Sequence, residues 1–207
     1  MRPAVLLRLA PAFGVAVLVA ASLGCGAPAS PPLHGTPAAA VRTPPRLDLG
    51  RIARQVHDRT NAERQGLGLP ALAWRDDLAR LAAVHSADMA ARGFFAHENP
   101  DGQDVNARAR GLAMECRQEL GQVVYTGFSE NLFKIGTFRG WQEETDENGT
   151  RRTNDYRAED AFAPEIVEGW MHSPGHRENI VQPVSRAEGI ALSLAEDGSL
   201  YVTQVFC

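Results

Sequence analysis

The chain has 207 residues, and its 21 Lys and Arg against 25 Asp and Glu give a formal net charge of −4. This acidic balance argues against a nucleic-acid-binding protein, because such proteins need a basic surface to neutralise phosphates. The length allows one domain of moderate size, and no apolar run is long enough for a protein with several membrane spans.

The N-terminus has the pattern of an export signal. Arg2 and Arg8 stand in front of the uncharged apolar stretch 9–23, and a basic region followed by a short hydrophobic region is typical of signal peptides. The stretch is shorter than the ~20 residues that a membrane-spanning helix needs. We therefore predict a signal peptide over residues 1–24 and an extracytoplasmic mature chain.

The signal ends in Ser22-Leu23-Gly24-Cys25, which resembles the lipobox of bacterial lipoproteins. In that family of signals the cysteine is lipidated and becomes the first mature residue, so Cys25 is predicted to anchor the chain to a membrane of the cell envelope. The resemblance is imperfect, because lipoboxes prefer Leu where Ser22 stands. The alternative is a secreted protein cut nearby, for example after Ala27 or Ala29.

The two remaining cysteines, Cys116 and Cys207, are predicted to form a disulfide. Two thiols in an oxidising compartment most economically pair with each other. Such a bridge would also hold down the C-terminal strand, since Cys207 is the last residue. Two unpaired buried thiols are the alternative.

The segment 25–46 is rich in Pro, Ala and Gly and lacks apolar periodicity. This composition is typical of an extended, partly polyproline spacer that holds a domain away from a surface. The predicted organisation is therefore a signal peptide over 1–24, a linker over 25–46 and a folded domain over 47–207.

Helical periodicity predicts three main helices and a short one. The first, Leu49–Gln65, is stopped by glycine, and the second begins at Asp76 or Asp77 and ends at Gly93. The short helix covers Val105–Gly111. The third main helix, Asp160–His172, is ended sharply by Ser173-Pro174-Gly175.

The other periodic segments are predicted strands. Residues 121–133 mix β-branched and aromatic side chains, and the C-terminus forms a hairpin about an Asp197-Gly198 turn. Residues 138–156 form a two-stranded ribbon about an Asn-Gly turn, with acidic residues on one arm facing arginines on the other. This acidic insertion is either a site of binding specificity or a solvent-exposed segment without a function. Together these elements predict helices packed on the faces of a mainly antiparallel sheet.

Two histidines and a glutamate are the candidates for chemistry. His97 and His176 each lie in a turn-rich segment after a helix, and Glu130 lies in a polar, aromatic segment. Two imidazoles and a carboxylate could hold zinc or another divalent metal with one position open, or act as general acid and base. His57 is expected on the solvent side of the first helix, with no role, and His85 is expected to be a half-buried core histidine.

Known catalytic signatures are missing from the sequence. It contains neither the HExxH pattern of zinc proteases nor the GxSxG nucleophile elbow. With Cys116 paired, no cysteine nucleophile is evident. Ser173 would serve as one only if its hydroxyl lay ~3 Å from His97 or His176.

Six segments along the chain form an ordered set of motifs. They are Asn61-Ala62-Glu63-Arg64 with Gly68-Leu69-Pro70-Ala71-Leu72, His85-Ser86-Ala87-Asp88-Met89, Phe94-Phe95-Ala96-His97 with Asp101-Gly102, Ser129-Glu130-Asn131-Leu132, Gly169-Trp170-Met171-His172-Ser173-Pro174-Gly175-His176-Arg177-Glu178-Asn179-Ile180, and Gly189-Ile190 with Tyr201-Val202-Thr203-Gln204-Val205-Phe206. In this order they resemble the CAP superfamily of cysteine-rich secretory, antigen 5 and pathogenesis-related proteins, also called the SCP domain.

The resemblance implies an α+β fold, a three-layer α–β–α sandwich, with a cleft lined by two His and two Glu. By position, His97 and His176 match the two cleft histidines and Glu130 matches one glutamate. The second glutamate falls on Ser173 here, so the four-residue site is incomplete, and Glu168, Glu178 and Asn179 are its local substitutes.

The sequence thus predicts a monomeric, exported binding or scaffold module. Its cleft would hold a divalent metal or small ligand, and its partner would be a lipid or protein of the cell envelope, with no nucleic acid involved. The alternative is a hydrolase of the envelope, a protease or an esterase, in which His97 and Glu130 activate a water molecule.

Overall fold

The structure is a computed structural model that describes residues 45–147 and 149–207. The predicted signal peptide, the lipidation site Cys25 and the linker up to residue 44 lie outside the described residues. The helices are α1 (Leu49–Gly66), α2 (Asp76–Arg92), α3 (Val105–Gly111), α4 (Phe162–His172) and α5 (Pro174–Ile180). The strands are β1 (Ala73–Trp74), β2 (Arg117–Leu120), β3 (Val123–Thr126), β4 (Ser129–Gly136), β5 (Phe138–Asp146), β6 (Gly149–Tyr156), β7 (Ala187–Leu194) and β8 (Ser199–Phe206).

The first two helices follow the predicted pattern and boundaries. In α1 the residues at helical spacing, Ile52, Val56 and Thr60, are buried, and the Asp48 side chain caps the N-terminus by accepting from the Arg51 amide. The second helix ends at Gly93, whose φ of 69° is the left-handed conformation that glycine adopts easily.

Four strands form the central sheet in the order β1-β7-β8-β4. The pairs β7–β8 and β8–β4 are antiparallel, while the short β1 runs parallel to β7. The sheet is therefore mixed but mainly antiparallel, as predicted.

Helices cover both faces of this sheet. Alternation along β8 directs Leu200, Val202 and Phe206 into a core with α1, α4 and α5. Val205, on the other face, packs in a second core with α2 and α3. The predicted three-layer α–β–α sandwich is confirmed.

The disulfide between Cys116 and Cys207 is present, as predicted, with the two Cα atoms 5.5 Å apart. It joins the end of the chain to the base of the hairpin β2–β3. The sequence predicts that hairpin only in part, because its residue types indicate a single β segment over 121–133, where the structure has β3 and the start of β4.

The third main helix differs most from its prediction. A short 3-10 turn, Glu159–Ala161, precedes α4, which ends at His172 as predicted. The unpredicted feature is that Ser173 is extended and Pro174 then opens a new helix, α5. Proline fits this position, because the first helical residue needs no amide hydrogen.

The predicted ribbon is present as β5 and β6, and Asn148 of its predicted turn lies outside the described residues. Its backbone register sets Glu143 opposite Arg152 and Glu144 opposite Arg151, which is the alignment that the charge pattern predicts. Among the described residues, none of the helices is both long and apolar enough to cross a membrane.

Candidate functional site

His97 lies in the loop after α2, and its ring is held by a carboxylate. Its Nδ1 lies 2.9 Å from Oε1 of Glu130 on β4. An ionised carboxylate can only accept, so Nδ1 carries the hydrogen and Nε2 keeps its lone pair. The His97 side chain is 57% exposed, which leaves Nε2 accessible to a ligand.

The carboxylate of Glu130 is itself held by Arg108 of α3. Nη2 of Arg108 donates to Oε2 of Glu130 at 2.6 Å, and both side chains are only 3% exposed. The same guanidinium donates from Nη1 to the backbone oxygens of His97 and Gln103. One buried cation thus neutralises Glu130 and fixes the loop that carries His97.

His85 is fully buried beside this pair, rather than half-buried as predicted. Its Nε2 donates to the backbone oxygen of Ala96 at 2.9 Å, while Nδ1 is buried without a hydrogen-bond partner. Burial lowers the pKa of His85, and the charge of Arg108 acts in the same direction, although Glu130 opposes them. A neutral ring with Nε2 protonated satisfies this environment.

His176 lies in the first turn of α5. Partial burial lowers the pKa of His176, and a positive charge on His97, when that ring is protonated, lowers it further. Asn131 donates to the backbone oxygen of His176 at 3.0 Å and thereby fixes this turn to β4. Of the three predicted site residues, His97 and Glu130 are thus in direct contact, and His176 is joined through its backbone to the strand that carries Glu130.

Ser173, which stands at the position of the missing second glutamate, makes no such contact with the two histidines. Within the described residues, no hydrogen bond joins the Ser173 hydroxyl to His97 or His176, and both Glu168 and Glu178 are exposed. Asn179 has a structural role, since its amide donates to the backbone oxygen of Glu130 and to Oδ1 of Asn131.

The donor set fits a metal only in part. The described residues contain no group of three or more His, Cys, Asp and Glu side chains arranged to hold a metal ion. Both oxygens of Glu130 already accept hydrogen bonds, one from His97 and one from Arg108. A metal here would be bound by the imidazoles of His97 and His176, with Glu130 orienting His97 from behind.

The prediction for His57 is wrong. Its side chain is only 14% exposed, and its Nδ1 lies 2.6 Å from Oε1 of Glu188, which is completely buried. The signal for this pair was Glu188 itself, a single carboxylate in the otherwise apolar strand segment 187–192. Arg108 was missed as well, although it precedes the buried Ala109 on a helix that was predicted.

Comparison with known proteins gives one family and several relatives. The sequence model of the cysteine-rich secretory protein (CAP) family matches residues 57–206. The uncharacterized protein YkwD of Bacillus subtilis (strain 168) is 28% identical over 151 residues, which are 73% of this chain and 45% of that protein. This chain therefore spans less than half the length of that relative.

Two solved structures share the fold. One is an extracellular protein with an SCP domain from Bacillus anthracis, with a TM-score of 0.51 and 22% identity, covering 76% of this chain and 40% of that one. The other is an outer surface protein of Borrelia burgdorferi, with a TM-score of 0.54 and 14% identity, covering 79% of this chain and 97% of that one.

Proposed function

Because the chain belongs to the cysteine-rich secretory protein (CAP) family, we propose that it is an exported binding module whose ligand is held between His97 and His176. The observation that carries the proposal is the orientation of His97. Its Nδ1 is committed to a carboxylate that is neutralised by a buried arginine, so its Nε2 is presented to the exposed side.

A divalent metal, zinc above all, is the ligand that this arrangement favours. Zinc binds neutral imidazole nitrogens, and the lowered pKa of His176 keeps that ring neutral at pH 7. A carboxylate behind a ligating histidine is the usual outer partner that fixes the ring and raises its basicity. A metal held by these two imidazoles would supply a Lewis acid to which a donor group of a ligand could bind.

Zinc calorimetry on the purified protein tests this proposal. The wild type is expected to give a saturable heat at one site, and the double variant His97→Ala, His176→Ala is expected to give none. His172→Ala is the matched control, because His172 is exposed and lies at the end of α4, near the same segment. Equal heats from the wild type and the double variant would refute the metal site.

The proposed location is outside the cytoplasm. It is supported by the signal-like N-terminus, by a disulfide of the kind found in oxidising compartments, and by the extracellular and surface origin of the two structures with this fold. Lipidation of Cys25 would tether the domain through the linker 25–46. Partition of the wild type into detergent, and its loss in Cys25→Ser, would test the anchor.

The hydrolase alternative lacks a supporting contact. Among the described residues, neither a serine hydroxyl nor a free thiol hydrogen-bonds to His97 or His176, and both oxygens of Glu130 are occupied. The proposal is therefore limited to binding.

A further inference from the structure

A row of buried polar side chains crosses the protein from α1 to α5 on one face of the sheet. Its central members, Glu188 on β7, Gln204 on β8 and Asn131 on β4, are all fully buried. Buried polar groups are costly unless every donor and acceptor is used. The hydrogen bonds along the row therefore determine which way each amide faces.

At the α1 end, the direction is fixed by a backbone segment. Asn61 accepts from the Leu72 amide at 2.7 Å and donates to the Leu72 oxygen at 3.0 Å, which fixes its orientation. The remaining hydrogen of Nδ2 points at Nε2 of His57, 3.2 Å away. Nε2 must then accept, so Nδ1 of His57 carries the hydrogen and donates to Oε1 of Glu188.

At the α5 end, two carbonyl groups of the cleft fix the direction. Asn179 donates to the backbone oxygen of Glu130 and to Oδ1 of Asn131. Asn131 donates in turn to the backbone oxygen of His176 and to Oε1 of Gln204, at 3.0 Å each. Neither amide can turn over without placing an oxygen against a carbonyl oxygen.

The two series of donors meet at Glu188. Oε1 of Gln204 accepts from Asn131, so Nε2 of Gln204 is the donor. It donates to Oε2 of Glu188 at 2.6 Å and to the Thr60 hydroxyl at 3.2 Å. Glu188 thus receives one donor on each oxygen, an arrangement that an ionised carboxylate satisfies without a hydrogen of its own to place. Burial raises the pKa of Glu188, while His57, Gln204 and the positive charge of Arg64 oppose that shift.

We propose that Glu188 is a positioning residue of the cleft. Acting through Gln204 and Asn131, it holds the backbone of His176 and so sets where that ring stands relative to His97. The inference rests on the proposed function only in taking this cleft as the binding site. Glu188 itself contacts neither histidine of the cleft.

The variant Glu188→Gln tests the proposal, because it replaces one of the two acceptors by a donor of nearly the same shape. Asn61 keeps His57 protonated on Nδ1, so the new amide oxygen is expected to face His57. The NH₂ group of the new side chain at position 188 then faces the NH₂ group of Gln204. The Gln204 amide must rotate to avoid this contact, which displaces Asn131. We expect the NMR signals of the His176 ring and the Asn131 side chain to move, and zinc affinity to fall about tenfold.

One variant is the control. Ser193→Ala lies on the same strand and removes only a contact with Ser86. It is expected to leave the His176 ring signals unchanged. A folded Glu188→Gln in which His57 changes tautomer and His176 does not move would overturn the proposal.

A measurement on the wild type guards against a variant that fails to fold. The side-chain NH₂ groups of Asn131 and Gln204 are expected to exchange with solvent at least about tenfold more slowly than those of exposed amides. If these side-chain NH₂ groups exchanged with solvent as fast as those of exposed amides, the row of buried hydrogen bonds would be refuted. The NMR readout needs no metal, so absence of zinc binding with a displaced His176 would count against the proposed function and leave the positioning role supported.

Discussion

Arg108 is the residue on which the geometry of the cleft depends most directly. It donates to Glu130 and to the backbone of the loop that carries His97, and it does so from a position that is almost completely buried. A charge in such a place is stabilising only with its partner, because water cannot replace the lost contact.

Arg108→Met is therefore expected to lower the free energy of unfolding by about 3–5 kcal/mol, since it leaves Glu130 buried and unpaired. Urea denaturation measures the change. Arg117→Ala is the matched control, because its ion pair with Glu119 is exposed and should contribute less than about 1 kcal/mol. Similar losses in both variants would contradict the importance of the buried pair.

The burial of His85 predicts that the stability of the protein depends on pH. Burial lowers its pKa below the ordinary value near 6.5, so the folded protein binds a proton there less readily than the unfolded chain. The contribution of His85 to stability is complete above that pH and is lost as the pH falls through the lowered pKa. His176 acts in the same sense, while the raised pKa of Glu188 acts in the opposite sense.

We expect unfolding free energies measured from about pH 7 to pH 5 to fall less steeply in His85→Gln than in the wild type. His172→Ala changes an exposed ring and should keep the wild-type slope. An unchanged slope in His85→Gln would mean that His85 does not titrate differently in the folded and unfolded states.

Residue types and the family resemblance together predicted the site residues His97, Glu130 and His176. The structure joins His97 to Glu130 by a hydrogen bond, and the role of His176 stays a prediction. The same reasoning dismissed His57, because helical periodicity says which residues share a face but not what that face meets. Its partner Glu188 is 131 residues away in the sequence.

At the scale of the elements, the close approach of α2 to β7 depends on Gly189. A Cβ atom there would lie 2.0 Å from the Ala79 nitrogen and 2.4 Å from the Leu78 carbonyl carbon. Both are backbone atoms of the first turns of α2, so no side-chain rotation can relieve the overlap. The helix and the strand would have to separate.

Gly189→Ala is expected to cost at least about 3 kcal/mol of unfolding free energy, at the upper end of overpacking changes. Gly66→Ala, where an added Cβ has no neighbour within 4 Å, is expected to be neutral or slightly stabilising. Thermal melting of both variants decides between these outcomes, and a Gly189→Ala protein that melts with the wild type would show that the helix can shift freely.

Local sequence patterns predicted most helix boundaries, but they were ambiguous at the end of α4. The repeat of apolar residues predicted α1, α2 and α3 with nearly the right boundaries. Ser173-Pro174-Gly175 correctly ended α4, but proline is equally suited to begin a helix, and α5 starts at that residue. The sequence could not show whether a second helix begins where α4 ends. That depends on whether the side chain of Ile180 packs into the core, which is a tertiary contact.

At the scale of the whole molecule, the disulfide joins residues 91 positions apart and fixes the C-terminal residue beside the β2–β3 hairpin. A bridge over so long a loop restricts the unfolded chain strongly. It also encloses β4, α4 and α5, so the elements that carry Glu130 and His176 lie within the closed loop.

Removing the bridge in Cys116→Ala, Cys207→Ala is expected to lower the free energy of unfolding by about 4 kcal/mol in the chain-entropy account. Adding reductant to the wild type should also lower its free energy of unfolding, as measured by denaturation. Intact mass provides the check on the bridge itself, since reduction must add two hydrogens. No change in mass on reduction would contradict the disulfide.

The sequence by itself determined helices α1 to α4, the C-terminal hairpin and the cysteine pair, and it selected three candidate residues for the site. These depend on local periodicity, on turn chemistry or on an ordered set of motifs, all of which can be found along the chain. Only the tertiary structure decided that Arg108 neutralises Glu130, that His57 is committed to Glu188, and that a row of amides joins that pair to His176. Those contacts connect distant segments across a sheet, and their energies depend on burial, which no spacing along the chain encodes.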